Sequence, residues 1–329
     1  MIAGLRGGPL AYAASRLVTA ALIVVGAMAL LFSLTLLVPG NPADVLLGPR
    51  ATPAVAAEFI RRMGLDRPVY ERLGLFFAHV MVGDLGTDIV SGRPVLVMVL
   101  EVLPHTLVLA LSAILLAIVI GLPLGCFAAT RPDSRADQLL AVASVSFIAV
   151  PSFVVAVFLL LIFSLQLDWL PVLGVGRPGD VRDQLAHLVL PTVALAAGWV
   201  GYLARLIRAS LLEVLREPYI RTAHAYGIPE GKVVYKYALR NACLPTLAIL
   251  GLGLGRLVGY AVFAEVIFAR PGVGRLIYDA IGNRNYPVVQ GGVLIVVLWV
   301  ALVNLLVDLS YAWIDPRIRA GLGQAEARS

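Results

Sequence analysis

Few side chains in this 329-residue chain are of types that do chemistry, and those few are scattered. Cys126 and Cys243 lie far apart in sequence, each in or beside an apolar run. Alone they make neither a disulfide framework nor a thiolate metal site, and the simplest reading is two buried small hydrophobes. The four histidines (His79, His105, His187, His224) contain no i, i+4 pair, so a metal centre lacks its usual ligand spacing. The nearest approach to a phosphate loop, Gly227-Ile228-Pro229-Glu230-Gly231-Lys232-Val233, is one residue short, lacks the Ser or Thr, and follows no strand. Paired carboxylates, HExxH and nucleophile motifs are missing, so no covalent chemistry is expected. The conspicuous group is a charge out of place. Arg256 stands near the middle of an apolar stretch whose ends carry Arg240 and Glu265. A guanidinium at that depth in a bilayer costs at least ~2.5 kcal/mol and must face a bundle interior or water. At ~100° per residue Glu265 falls on the opposite face, so the two do not pair. Two roles remain open for Arg256. It lines a translocation cavity and meets a substrate carboxylate or a partner's acid, or it makes an interhelical structural pair.

The elements that must hold such a charge are set by composition. Sixty per cent of residues are apolar and 14% charged, against about 45–50% and 25% in soluble domains, and mean hydropathy is +0.91. No soluble core could hide that much apolar surface, so lipid is the solvent for much of it; a soluble enzyme is excluded. Crossing the hydrocarbon takes about 20 apolar residues. Stretches at 17–38, 102–130, 138–167, 184–204, 241–264 and 285–307 meet that need, which predicts six spans. The first is too long for a signal-peptide core and is followed by no A-x-A cleavage site, so it is expected to be retained.

Six spans place both termini on one face. Arg6, Arg16, Arg317, Arg319 and Arg328 lie on that face, as do Arg216, Arg221, Lys232, Lys236 and Arg240 of the loop between spans four and five. The positive-inside rule makes it cytoplasmic, and the charge of +6, carried by 24 Arg and two Lys, reports this orientation rather than nucleic-acid binding. Expected boundaries are a cytoplasmic N-terminus at 1–16, a six-span domain at 17–311, and a cytoplasmic tail at 312–329. Within the domain, 39–101 is external and 213–244 forms the cytoplasmic loop.

Both long loops carry helix signals. Thr52-Pro53 starts a short helix ending near Gly64. Pro68 starts another with an apolar stripe of Val69, Leu73, Phe76, Phe77 and Val80. In the cytoplasmic loop Pro218 opens a helix that Gly227 and Pro229 stop, and Thr222, Ala223 and Ala225 let another surface come close. In the spans, Gly251, Gly255 and Gly259 form small-xxx-small pairs for close helix packing. Asn304 and Asp308 lie one turn apart, and Pro151 and Pro191 mark kinks or helix starts.

The run Arg221-Thr222-Ala223-His224-Ala225-Tyr226-Gly227, with Ala238-Leu239-Arg240-Asn241-Ala242-Cys243-Leu244-Pro245 beyond it, resembles the cytoplasmic EAA loop of ABC importer permeases. More narrowly it is similar to the B-type subunit of the dipeptide/oligopeptide/nickel family. Gly83-Asp84-Leu85-Gly86, His187-Leu188-Val189-Leu190-Pro191, Tyr202-Leu203-Ala204-Arg205, Pro271-Gly272-Val273-Gly274-Arg275, Tyr286-Pro287-Val288-Val289-Gln290-Gly291, Asn304-Leu305-Leu306-Val307-Asp308 and Asp315-Pro316-Arg317 extend the likeness over residues 12–319. Arg221-Thr222-Ala223 stands where the general consensus has Glu-Ala-Ala.

The resemblance implies an all-α, six-span type I permease of the inner membrane that forms half of a pore with a homologous second permease. Two cytosolic ATPases would use ATP and Mg, with no cofactor in this chain, and an extracytoplasmic solute-binding protein would deliver peptide. Glu217, Tyr219, Arg221, Thr222, Ala223, His224 and Gly227 would form the coupling helix that docks into an ATPase, Ala223 keeping that contact close. Arg256 and Glu265 would line the pathway. The rival expectation is a secondary transporter driven by an ion gradient, although such proteins bury acids or histidines in their spans and often show internal repeats.

Overall fold

The structure, a computed structural model, describes residues 9–37, 52–62 and 66–314. Every regular element among them is helical. In chain order these are α1 (Pro9–Leu37), α2 (Pro53–Arg62), α3 (Val69–Met81), α4 (Val95–Ala129), α5 (Arg135–Ala149), α6 (Ser152–Leu159) and α7 (Val181–Val214). They continue with α8 (Pro218–Ala225), α9 (Glu230–Lys232), α10 (Leu239–Ile267), α11 (Val273–Gly282) and α12 (Tyr286–Ile314). Two π-helical segments, Leu160–Gln166 and Val233–Ala238, prolong α6 and lead into α10.

Among the described residues five helices are long and apolar enough to cross a membrane, and a sixth span exists if α5 and the α6 segment count as one. The expected third span is thus broken, its halves meeting at 97°. Pro151 causes the break: it has no N–H to continue the ladder and forces Val150 into extended backbone (φ −81°, ψ 121°). Pro191 is the other residue expected to mark a kink or a helix start. It lies within α7 and neither starts nor ends it, because lipid-embedded helices keep proline where neighbours satisfy the freed carbonyl.

The chain divides into two compact units, 1–104 with 272–329, and 105–271. In the first, α1 packs along α12, and α11 also lies on α12. Arg16 Nε reaches Asp308 Oδ2 at 3.3 Å, tying α1 to α12; Asp308 therefore serves another helix rather than only its neighbour Asn304. α2 begins at Pro53 as expected; Gly64, its expected stop, lies outside the described residues, as do 1–8, 38–51 and the tail 315–329. α3 carries the expected stripe, which is only half covered: Phe76 meets Phe32 of α1 with ring centroids 6.0 Å apart.

In the second unit, α5, α6 and α10 all pack on α7. Small residues make this possible. A Cβ on Gly201 would stand 2.6 Å from the Ser144 carbonyl oxygen, one on Gly125 2.7 Å from that of Ala204, and one on Gly253 2.2 Å from the Trp199 ring. Gly253, outside the small-xxx-small pairs, thus gives the Trp199 ring its place on α10, whereas a Cβ at Gly259 would meet nothing within 4 Å. Near one end of the unit, Arg208 grips Asp137 with Nε and Nη2 at 2.5 and 2.6 Å. Ser134 caps α5 by accepting from Asp137 N, and Asp137 in turn accepts from Asp133 N. Cys126 and Cys243, so distant in sequence, share one apolar cluster here and are both free thiols.

Gly201→Ala is expected to destabilise the solubilised protein by about 1–3 kcal/mol, since the Cβ meets backbone rather than a side chain that can turn aside. Gly259→Ala should change stability by less than about 0.5 kcal/mol. Thermal denaturation of the two variants side by side tests the contrast; equal effects would contradict it.

Candidate functional site

The link between α7 and α10 builds the most distinctive surface. Pro218 occupies the first turn of α8, where a missing N–H costs nothing, and the Glu217 side chain makes no capping bond. Gly227, at φ +68°, takes the left-handed conformation that ends the helix. Over its eight residues α8 buries Ile220 and Ala223 and exposes Tyr219, Arg221, Thr222 and His224. Ile220 and Ala223 join a cluster with Ile207 and Leu211 of α7, Val233, Val234 and Ala238 of the π segment, and Cys126 and Ala129 of α4. The expectation for Ala223 is corrected here: its small side chain turns inwards and brings α8 close to its own chain. Of the positions Arg221–Gly227, all but Ala223 are exposed, and Arg221, Thr222 and His224 are the exposed polar side chains of α8 itself. The Thr222 hydroxyl donates to Pro218 O at 3.1 Å. Asn241 Nδ2 donates to Tyr219 Oη at 2.8 Å, fastening α8 to the start of α10. A cavity of ≈600 Å³, bordered by Asp133, Arg208, Arg216, His224 and Glu230, opens beside α8. Charged walls make it wet, so α8 stands partly clear of the helices behind it.

Arg256 and Glu265 occupy opposite surroundings on α10, as the helical period requires. Arg256 is exposed on the unit's surface, in a strip with Leu252, Tyr260 and Phe263, and among the described residues no hydrogen bond or ion pair holds it. Glu265 is fully buried and accepts from Thr106 Oγ1 at 2.6 Å. That burial corrects the expectation that Glu265 lines an open pathway. Its neighbour Arg270 is also buried, with Nε and Nη1 lacking hydrogen-bond partners among the described residues. Arg270 donates its backbone N–H to Glu265 O at 2.8 Å. This polar knot joins α4 to the end of α10, and the sequence reading missed it because Thr106 and Glu265 are 159 residues apart.

A second polar knot lies in the first unit. Asp88 accepts from Ser91 N at 2.8 Å, from the Ser91 hydroxyl, and from Asn285 Nδ2. It thereby ties the turn before α4 to the residue before α12. Burial alone would raise the Asp88 carboxyl, but the hydrogen bonds from Ser91, Asn285 and Val90 outweigh it and hold the group below the ordinary carboxylate value.

With this geometry in view, likeness to known proteins becomes informative. The fold matches the chain described as inward-facing conformations of the MetNI methionine ABC transporter, with TM-score 0.51 and 22% identity over 68% of this chain and 96% of that one. It is the all-α fold of type I ABC importer permeases. Residues 121–320 match the family of binding-protein-dependent transport system inner membrane components, and residues 10–110 match that family's N-terminal region. The chain belongs to this family and is a multi-pass inner-membrane permease component of an ABC importer. That membership sets aside the secondary-transporter alternative. Among its relatives are the dipeptide transport system permease DppB of Alkalihalophilus pseudofirmus, 38% identical over 94% of this chain and 99% of that protein, and the probable D,D-dipeptide permease DdpB of Escherichia coli, 38% over 92% and 96%. The glutathione permease GsiC of Salmonella typhimurium is 38% identical over 91% and 94%.

Because the folded-state value of Asp88 is lowered, the knot contributes stability above the ordinary carboxylate pKa and loses it as pH falls through the lowered value. Protection against hydrogen exchange at residues 84–94, corrected for the intrinsic pH dependence of amide exchange, should therefore hold constant through neutral and mildly acidic pH and fall only in stronger acid. Asp88→Asn should abolish that acid step; a step that persists in the variant would assign it to another group.

Proposed function

We propose that this chain forms half of the translocation pore of a peptide importer, taking dipeptides or short oligopeptides. The observation that carries this reading is the identity of 37–38%, over about nine-tenths of the chain, to permeases named for dipeptide, di/tripeptide and glutathione transport. The other half of the pore is a homologous permease, two cytosolic ATPases bind and hydrolyse ATP, and an extracytoplasmic binding protein delivers cargo. Both termini and the 213–244 loop face the cytoplasm, and 39–101 faces outwards.

In this mechanism α8 is the coupling helix. Arg221, Thr222 and His224 meet the ATPase, while Ile220 and Ala223 transmit its movement into the cluster at the ends of α4, α7 and α10. Glu217 and Gly227 set where the helix begins and ends, and Tyr219 holds it to Asn241. A rigid helix seated in a packed core passes on a rigid-body closure without loss. Support for the pathway role of Arg256 is its exposure at mid-span, where a charge is tolerated only beside water or a partner's polar group. On this reading it meets the carboxylate of a passing peptide as the pore alternates between outward and inward access.

Gentle extraction of the tagged chain from its native membrane should bring down a second permease and an ATPase, and the reconstituted complex should take up dipeptide when given ATP and the binding protein; a complex that takes up no peptide would overturn the reading. Arg221→Glu should cut ATP-driven uptake by about tenfold, the equivalent of ~1.4 kcal/mol at the ATPase contact, while the second permease stays bound. Arg256→Gln should slow uptake with the complex intact. Loss of the second permease from that variant would assign Arg256 to an intersubunit pair instead.

A further inference from the structure

The two lysines of the whole chain, Lys232 and Lys236, stand four residues apart in the segment between α8 and the apolar part of α10, and Arg240 follows at the same spacing. All three are exposed. Between them the chain is π-helical from Val233 to Ala238. An α-helix, with 3.6 residues per turn, drifts when sampled every four residues. The wider π turn drifts the other way, so the combination keeps the three cations on one face. The opposite face is committed: Val233, Val234 and Ala238 are buried in the cluster that also holds Ile220 and Ala223 of α8. Tyr235, 60% exposed, and Tyr237, 39% exposed, flank the cationic face. Glu230 is the one acid within 230–240, leaving a net positive strip. Arg240 closes the strip where the uncharged run 241–255 begins, and that run leads into the membrane-crossing stretch Ile249–Ile267, so Arg240 stands nearest the headgroups and Lys232 furthest towards the cytoplasm.

We propose that Lys232, Lys236 and Arg240 form a contact for the phosphates of anionic lipids in the cytoplasmic leaflet, and that this contact fixes the base of the coupling helix. The proposal rests on the orientation proposed above. Charge complementarity selects the occupant: juxtamembrane Lys and Arg gain about 1 kcal/mol each near an anionic surface, and tyrosine rings favour the same depth. Because the buried side of the strip packs against α8 and Asn241 bonds to Tyr219, a lipid hold on the strip is a hold on α8. The headgroups supply a fulcrum against which ATPase closure moves α7 and α10 rather than tilting α8 alone.

The test uses the complete importer, with its second permease, ATPases and binding protein, in phosphatidylcholine vesicles titrated with phosphatidylglycerol. ATP-driven dipeptide uptake and the amount of bound ATPase are both measured. Wild-type uptake is expected to rise with the phosphatidylglycerol fraction. In the triple variant Lys232→Gln, Lys236→Gln, Arg240→Gln, the fraction needed for half-maximal uptake should increase severalfold with ATPase binding unchanged. Lys232→Arg with Lys236→Arg, which keeps the charge, should match the wild type. Should the triple variant fail to assemble, raising salt on the unaltered complex gives the same information, since screening must shift the curve to higher phosphatidylglycerol. Uptake indifferent to phosphatidylglycerol, or a curve unmoved by both the substitutions and salt, overturns the proposal. ATPase lost from the triple variant in detergent also overturns it and makes the strip a protein contact. Failure of the peptide reading is distinguishable, because no ATP-driven dipeptide uptake would then appear at any phosphatidylglycerol fraction.

Discussion

Backbone touching backbone is the constraint on which the second unit depends. Where α7 crosses its neighbours there is no room for a methyl group: Gly201 lies against the Ser144 peptide, and Gly125 against the carbonyl of Ala204. In a bilayer, helices gain little from hiding apolar side chains from one another, since lipid tails are equally apolar. Close approach and the dispersion it brings must supply the specificity instead. α7 accordingly buries alanines, a threonine and a glycine along with its leucines.

The charged residues then sort by depth and by whether the chain itself supplies a partner. Asp137 and Arg208 hold each other where α5 lies on α7, and removing one alone would strand the other, the costly way to break such a pair. Glu265 is enclosed with Thr106. Arg256 differs: it is turned to the surface in the middle of an apolar helix. A helix that encloses Glu265 but presents Arg256 outwards leaves that charge to be completed by something else, which accords with the half-pore proposed above.

Legibility from sequence tracked the range of the interaction. Span positions, the starts of α2, α3 and α8, and the stop at Gly227 were readable because proline, glycine and apolar periodicity act within a turn or two. The break at Pro151 was readable as a break but not as a 97° bend, since the angle depends on what each half packs against. The inward turn of Ala223 was missed because an eight-residue helix shows barely two turns, and small residues suit either face. The polar pairs were not readable at all. Asp88 meets Asn285 across 197 residues and Asp137 meets Arg208 across 71, and nothing local distinguishes those acids from solvated ones.

The π segment Val233–Ala238 also gives the chain slack in its length. A π turn is an α-helix holding one surplus residue, so deleting a single position there would restore the ordinary pitch. The rest of α10 would then keep nearly its present phase relative to α8, with Arg256 on the face it now occupies and Glu265 beside Thr106. Within the α-helical part of α10 nothing absorbs such a loss, and one deletion would turn everything beyond it by about 100°. The surplus residue thus acts as an expansion joint between the helix proposed to meet the ATPase and the charge proposed to meet cargo.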